Sequence, residues 1–136
     1  MPIVPGQAQE YNGGAGVLAD TPFLTNDYSI QLVTVDYTFD ATHSTVADLG
    51  ANVVSGEGQL LSNKTSSQTD NNNYRDADDL SYVSLPQAKA MVLTQGPATA
   101  NTTDKLIAYI DLNNGTAANT TVESIPFDAT GLLRFT

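Results

Sequence analysis

The sequence predicts an all-β fold, a β-sandwich or jelly roll of about seven to eight short strands with an extended N-terminal arm. Three observations lead there. Hydrophobic residues make up 40% of the 136 and charged residues only 15%, so the polar surface comes mainly from Thr, Asn, Ser and Gln. Thr packs well on a pleated surface, and Asn and Gly accept tight bends. No stretch has the 3.6-residue period, or the Ala, Leu, Glu, Lys and Arg content, of a long helix. Short β-branched and aromatic runs are instead divided by Gly, Pro, Asn and Thr turns.

The length suits one domain. Residues 1–22 read as an extended arm and residues 23–136 as the sandwich. In the arm, Pro2, Pro5 and Pro22 bracket Gly13-Gly14-Ala15-Gly16, with few apolar groups to bury. Such a segment does not offset its ordering entropy alone. It is either a free tail or an arm that orders against a neighbour, and deleting residues 1–20 is expected to leave the core folded.

From Tyr28 to Thr38 the chain turns apolar on two faces. Tyr28, Ile30 and Leu32 point one way and Val33, Val35 and Tyr37 the other, the pattern of a strand inside a packed sheet. Phe39–Gly50 holds turn formers and then Val46–Leu49, at most one helical turn. Further strands are expected at 51–61, 80–85, 88–94, 105–112, 120–125 and 131–135. Gly56 and Gly58 suggest a bulge or bend in the first of these. In 105–112, Leu106, Ala108, Ile110 and Leu112 are expected on one face. Pro86 divides 80–85 from 88–94, and Gly96-Pro97 ends the latter. Asn114-Gly115 marks a turn, and Ser62–Asp79 reads as an exposed loop with part of a strand.

The net charge is −10, and Lys64, Arg75, Lys89, Lys105 and Arg134 are the five basic residues. Counterion release from a phosphate backbone needs clustered Lys and Arg, so neither nucleic acid nor an anionic membrane is expected as a partner. A basic protein surface or a divalent cation is the electrostatic match, and solubility alone is the simpler reason for the acidity. The chain has no cysteine, hence no disulfide or thiolate chemistry. No apolar run approaches the roughly 20 residues of a membrane span. The start, MPIVPGQAQEY, lacks the basic and apolar regions of a secretory signal. The Asn-x-Ser/Thr matches at Asn63, Asn101, Asn114 and Asn119 are expected by chance in so Asn- and Thr-rich a chain.

Catalytic constellations lack parts. His43, the single histidine, sits in a Thr/Ser-rich turn, where it reads as a solvated side chain, and no Gly-x-Ser-x-Gly elbow exists. Asp76, Asp78, Asp79, Glu57 and Glu123 could pair for glycoside hydrolysis, yet the chain has no Trp to form a sugar platform. Asp70–Asn73 and Asp76–Asp79 carry the oxygen ligands calcium prefers. Neither fits an EF-hand loop, because Tyr74 and Arg75 stand where an oxygen ligand and a glycine are needed. Asp111–Gly115 fails by one position. No enzymatic activity and no cofactor are expected.

The second half has an ordered pattern: Asp76-Ala-Asp-Asp-Leu-Ser-Tyr-Val-Ser-Leu85, Ala88–Thr94, a polar loop, Leu106-Ile-Ala-Tyr-Ile-Asp-Leu112 and Phe127–Phe135. With the strand Ile30–Val35, the turn Val46–Leu49 and the segment Asn52–Gly58 before it, this order resembles a family of small virion structural proteins of tailed bacteriophages. The likeness covers residues 22–136; the Gly-rich N-terminus and Asn119–Ser124 depart from it. It implies a β-sandwich or jelly-roll core and a place on the capsid surface as a decoration (cement) protein, homo-oligomeric as a dimer or trimer, that clamps major capsid subunits. A tail or head–tail connector component, or a calcium-dependent host- or carbohydrate-binding sandwich, is the alternative. For the interface, Tyr11, Val17, Leu18 and Phe23 near the arm are the expected apolar anchors.

Overall fold

The computed structural model describes residues 8–12, 20–69, 72–97, 103–112, 116, 118–125 and 133–135. Its centre is a five-stranded antiparallel sheet in the order β1-β9-β8-β2-β3: β1 (Ala8–Glu10), β9 (Lys105–Asp111), β8 (Ala90–Gln95), β2 (Tyr28–Val33) and β3 (Gln59–Leu60). β2 and β8 pair over six residues, from Tyr28 opposite Gln95 to Val33 opposite Ala90. All six residues of β2 and five of the six in β8 are buried. In β8 this burial on both faces matches a near-continuous apolar run, whereas β2 ends at Val33 and alternates, with Ser29 and Gln31 buried between its apolar residues.

Each face of this sheet has its own core. On one, Tyr28, Ile30, Leu32, Met91, Leu93, Ala108 and Ile110 pack under Phe23, Leu61, Leu80, Tyr82, Val122 and Ile125. On the other, Val33, Val92, Leu106 and Tyr109 pack under Tyr11, Tyr37 and Leu49, with Phe39, Val46 and Val53 at the margin. Leu106 is therefore not on the face of Ala108 and Ile110, as its spacing predicts. Leu93 pairs with Ala108 but Thr94 pairs with Leu106, so Ile107 is the extra residue of a β-bulge. The bulge shifts the alternation by one, turning Ile107 to the first core and Leu106 to the second.

The cover over this sheet is pieced together. Phe23 comes from α1 (Asp20–Thr25), which carries Pro22 in its first turn, where a missing N–H costs nothing. Two ribbons follow: β6 (Leu80–Ser81) with β11 (Ser124–Ile125), and β7 (Gln87–Ala88) with β10 (Thr120–Thr121). A three-stranded sheet, β12-β5-β4, joins β4 (Thr65–Thr69), β5 (Asn72–Asp76) and β12 (Leu133–Phe135). Opposite lies a 3-10 helix, Val46–Asn52, whose first turn Asp48 steadies by accepting the Thr45 N–H at 3.1 Å. Its backbone kinks at Gly50, where φ is +60°, a value that favours glycine.

This is not the sandwich or jelly roll that the sequence predicts. The described residues form two helices and four small, open sheets, a mixed architecture with no second large sheet. A sandwich needs a second sheet with a repeated apolar inner face. The candidates are too polar: β4 reads TSSQT and β5 reads NNYRD. Outside the central sheet apolar residues arrive singly, as Leu80, Tyr82, Ala88, Val122 and Ile125, so two-residue ribbons suffice to deliver them. The expected strand 51–61 shrinks to β3 because the 3-10 helix runs to Asn52 and Gly56, at φ +79°, turns the chain. The expected strands 80–85 and 120–125 survive as two-residue pieces for the same reason, and Ser62–Asp79 is mostly the β4–β5 hairpin.

Candidate functional site

Two places concentrate chemistry: an aromatic–polar clip that fastens the N-terminal strand, and a pinned loop that displays apolar side chains.

The clip begins with β1, which pairs with β9 from Ala8 opposite Ile110 to Glu10 opposite Ala108. The next residue, Tyr11, donates its N–H to the Ile107 carbonyl at 3.1 Å and is wholly buried. Its ring lies 4.9 Å from that of Phe39, which stacks on Tyr109 at 5.5 Å. Its hydroxyl lies 2.8 Å from the Tyr37 hydroxyl, which lies 3.0 Å from His43 Nδ1. The far imidazole nitrogen, Nε2, faces Asp40 at 3.9 Å. In the tautomer whose proton is on Nε2, Tyr37 donates to Nδ1 and Tyr11 donates to Tyr37, so both of these phenol hydroxyls are satisfied. Beside it Lys89 Nζ donates to the Tyr109 hydroxyl at 3.1 Å and to Asp111 at 3.4 Å.

The electrostatics of this cluster follow from burial and bonding. Burial pushes the Tyr11 phenol well above its ordinary range, helped by the hydrogen bond to Tyr37, and burial also raises Tyr37. Lys89 is held above its usual value by the Tyr109 hydroxyl and by Asp111. The exposed carboxylates of Asp40 and Asp48 lie below the usual range because they accept hydrogen bonds from Thr42 and from the Ser44 and Thr45 N–H groups, respectively. His43 is thus half-buried and bonded, not a freely solvated turn residue. Its partners are a phenol and a carboxylate, which fix the orientation of the imidazole.

The loop Tyr82–Leu85 is the second place. Tyr82 is buried and its N–H donates to the Glu123 carbonyl at 2.8 Å. Gln59 Nε2 donates to the Ser81 carbonyl at 2.8 Å, Ser84 Oγ donates to the Glu57 carboxylate, and the Pro86 carbonyl accepts from Val122 at 2.8 Å. Between these pins Val83 is 100% exposed and Leu85 49% exposed. Leu85 has φ +51°, a left-handed conformation that a branched aliphatic residue rarely adopts. The Tyr82 hydroxyl is buried without a hydrogen-bond partner, and burial followed by the nearby Glu57 charge pushes its pKa up.

Of the expected anchors, Tyr11 and Phe23 are fully buried, one in each core of this same chain, so neither is presented at the surface. Val17 and Leu18 lie outside the described residues. The acidic stretch is drawn into local structure: Asp76 accepts the Ala77 N–H at 2.8 Å and Asp78 accepts Asn63 Nδ2 at 2.6 Å. Among the described residues no three His, Cys, Asp or Glu side chains stand together as a metal site. Asp70 and Asn71 lie outside the described residues. Sequence reasoning missed the exposed loop, although a signal was present. With Leu80 and Tyr82 facing inward, alternation leaves Val83 outward. No family model matches the chain, and no curated protein and no solved structure matches it.

Proposed function

We propose that the chain is a structural part of a tailed-bacteriophage virion, a capsid decoration (cement) protein that stabilises contacts between major capsid subunits, acting as a dimer or trimer on the shell. The observation that carries this reading is the rigidly pinned Tyr82–Leu85 loop, with a fully exposed Val83 at its tip. A binding part needs a preorganised apolar surface, because ordering a loose one would consume the affinity gained. The run that resembles the phage family, Asp76-Ala-Asp-Asp-Leu80, is the one that leads through β6 into this loop. On a shell, weak docking by each copy is multiplied over a lattice of equivalent sites.

A cryo-EM map of the parent particle tests this. Density for the chain at hundreds of equivalent shell positions is the expected result. A ring of roughly a dozen copies or fewer at the head–tail junction or tail would reassign it to a connector. Recovery of the chain from infected cells but never from purified particles would overturn the virion reading.

A further inference from the structure

We infer that the Tyr82–Leu85 loop is a preformed docking tip that seats Val83 and Leu85 in an apolar pocket rimmed by Lys or Arg on a neighbouring protein. This rests on the shell reading above and names the partner chemistry of that site.

Three independent features lead there. The tip is costly to the isolated chain. A completely exposed Val83 gains nothing from folding, and Leu85 at φ +51° carries backbone strain that Asn or Gly would relieve. Such features persist where a surrounding structure over-determines them, and here the pins from Gln59, Glu57, Glu123 and Val122 do so. The loop is also rigid before docking, since Tyr82 and Pro86 on either side of the tip are buried. Finally, the rim is acidic. The Glu57 carboxylate is bonded to Ser84 in the tip, and the stretch from Asp76 through Ala88 holds Asp76, Asp78 and Asp79 and no Lys or Arg. Carboxylates around an apolar tip select a basic rim on the partner and speed encounter with it. A second copy of this chain is a poor occupant, because it brings fifteen acidic residues against five basic ones.

The test measures binding of the purified full chain to shells of the parent phage that lack it, as a function of salt. Val83→Ser removes the tip at a position that contributes nothing to the core. Leu85→Asn keeps the left-handed backbone while removing the apolar group. Each is expected to leave the urea midpoint unchanged, or raise it for Leu85→Asn, and to weaken shell binding by about tenfold or more. Wild-type affinity is expected to fall as salt rises, with a shallower slope in Glu57→Gln, whose amide oxygen can still accept the Ser84 hydroxyl. Variants that bind like wild type, with wild type binding well, overturn the docking tip and leave the shell reading standing. Salt-independent binding overturns the basic rim. Wild type that does not bind shells overturns the shell reading, and this inference falls with it.

Discussion

Removing the Tyr37 hydroxyl should destabilise the protein more than removing that of Tyr11, although both changes delete one oxygen. The hydrogen-bonded series runs Tyr11–Tyr37–His43, so Tyr37 is the middle member and Tyr11 the buried end. In Tyr11→Phe, Tyr37 keeps His43 as its partner, and the loss is one ordinary hydrogen bond, about 0.5–1.5 kcal/mol. In Tyr37→Phe, the Tyr11 hydroxyl stays behind in a site with 0% exposure and with its partner gone. A buried polar group left unpaired costs about 1–3 kcal/mol, while half-buried His43 can turn to water. The double variant replaces both hydroxyl-bearing rings with apolar rings of similar shape, so it should cost less than the sum of the two singles. Urea unfolding of the four proteins, read as midpoints at constant m-value, gives the comparison. Equal single effects with an additive double would refute the series as drawn.

Four other outcomes follow from the same geometry. Asp104 is buried, one carboxylate oxygen lacks a partner, and its carboxyl packs so closely on Gly96 that a β-carbon there would overlap it. Burial raises its pKa, so the folded state holds the proton more tightly; the stabilisation is complete below the unfolded pKa and is lost as pH rises through the folded one. Asp104→Asn should therefore stabilise by about 1 kcal/mol at neutral pH and by nothing in acid, measured as urea midpoints; destabilisation at neutral pH would show that the carboxylate is satisfied. Tyr82→Phe should be neutral or stabilising by up to about 1 kcal/mol in thermal melts, because it removes an unpaired buried hydroxyl; a clear loss would reveal a partner. Tyr11, Tyr28, Tyr37 and Tyr82 are all raised chiefly by burial, so stability should fall as pH climbs past the ordinary tyrosine value of about 10, with tyrosinate absorbance appearing together with loss of near-UV circular dichroism; ionisation in a still-native protein would contradict the burial. Deleting residues 1–20 should cost at least about 3 kcal/mol, since it takes Tyr11 out of the second core; an unchanged urea midpoint would mean that the strand is dispensable.

The central sheet was legible because its physics is local. β8 carries apolar residues on both faces and β2 carries Tyr28, Ile30 and Leu32 on one, so both runs read as strands of a packed sheet, while the burial of Ser29 and Gln31 on the other side of β2 did not show in the sequence. What covers it was not legible. Leu80 and Ile125 each contribute one side chain from a two-residue strand and Val122 one from the link between two such strands, too little for any period to register. The bulge at Ile107 depends on its pairing with β8, so no count along Lys105–Asp111 alone could reveal it. Tyr11 was legible as an aromatic in a Gly-rich arm but not as a core residue, because its partner Tyr37 is 26 positions away. His43 looked solvated for the same reason: its turn is polar in sequence, and only the fold brings Tyr37 over it.

The edges of the central sheet and the charge both bear on how copies of the chain can meet. β1 and β3 close the central sheet with strands of three and two residues, which offer a partner little unpaired backbone. Glu10 within β1 and Glu57 two residues before β3 add acidic residues to those edges, so short length and charge act together as the local safeguard. The global safeguard is the net charge of −10, which makes every approach of a second copy repulsive at low salt. Pairing of two free copies through the central sheet's edges is thus disfavoured, whereas a basic surface that offsets the repulsion lets the proposed dimer or trimer form on the shell. A chain built this way gathers in numbers only where something of opposite charge sets the spacing, as the proposed shell does.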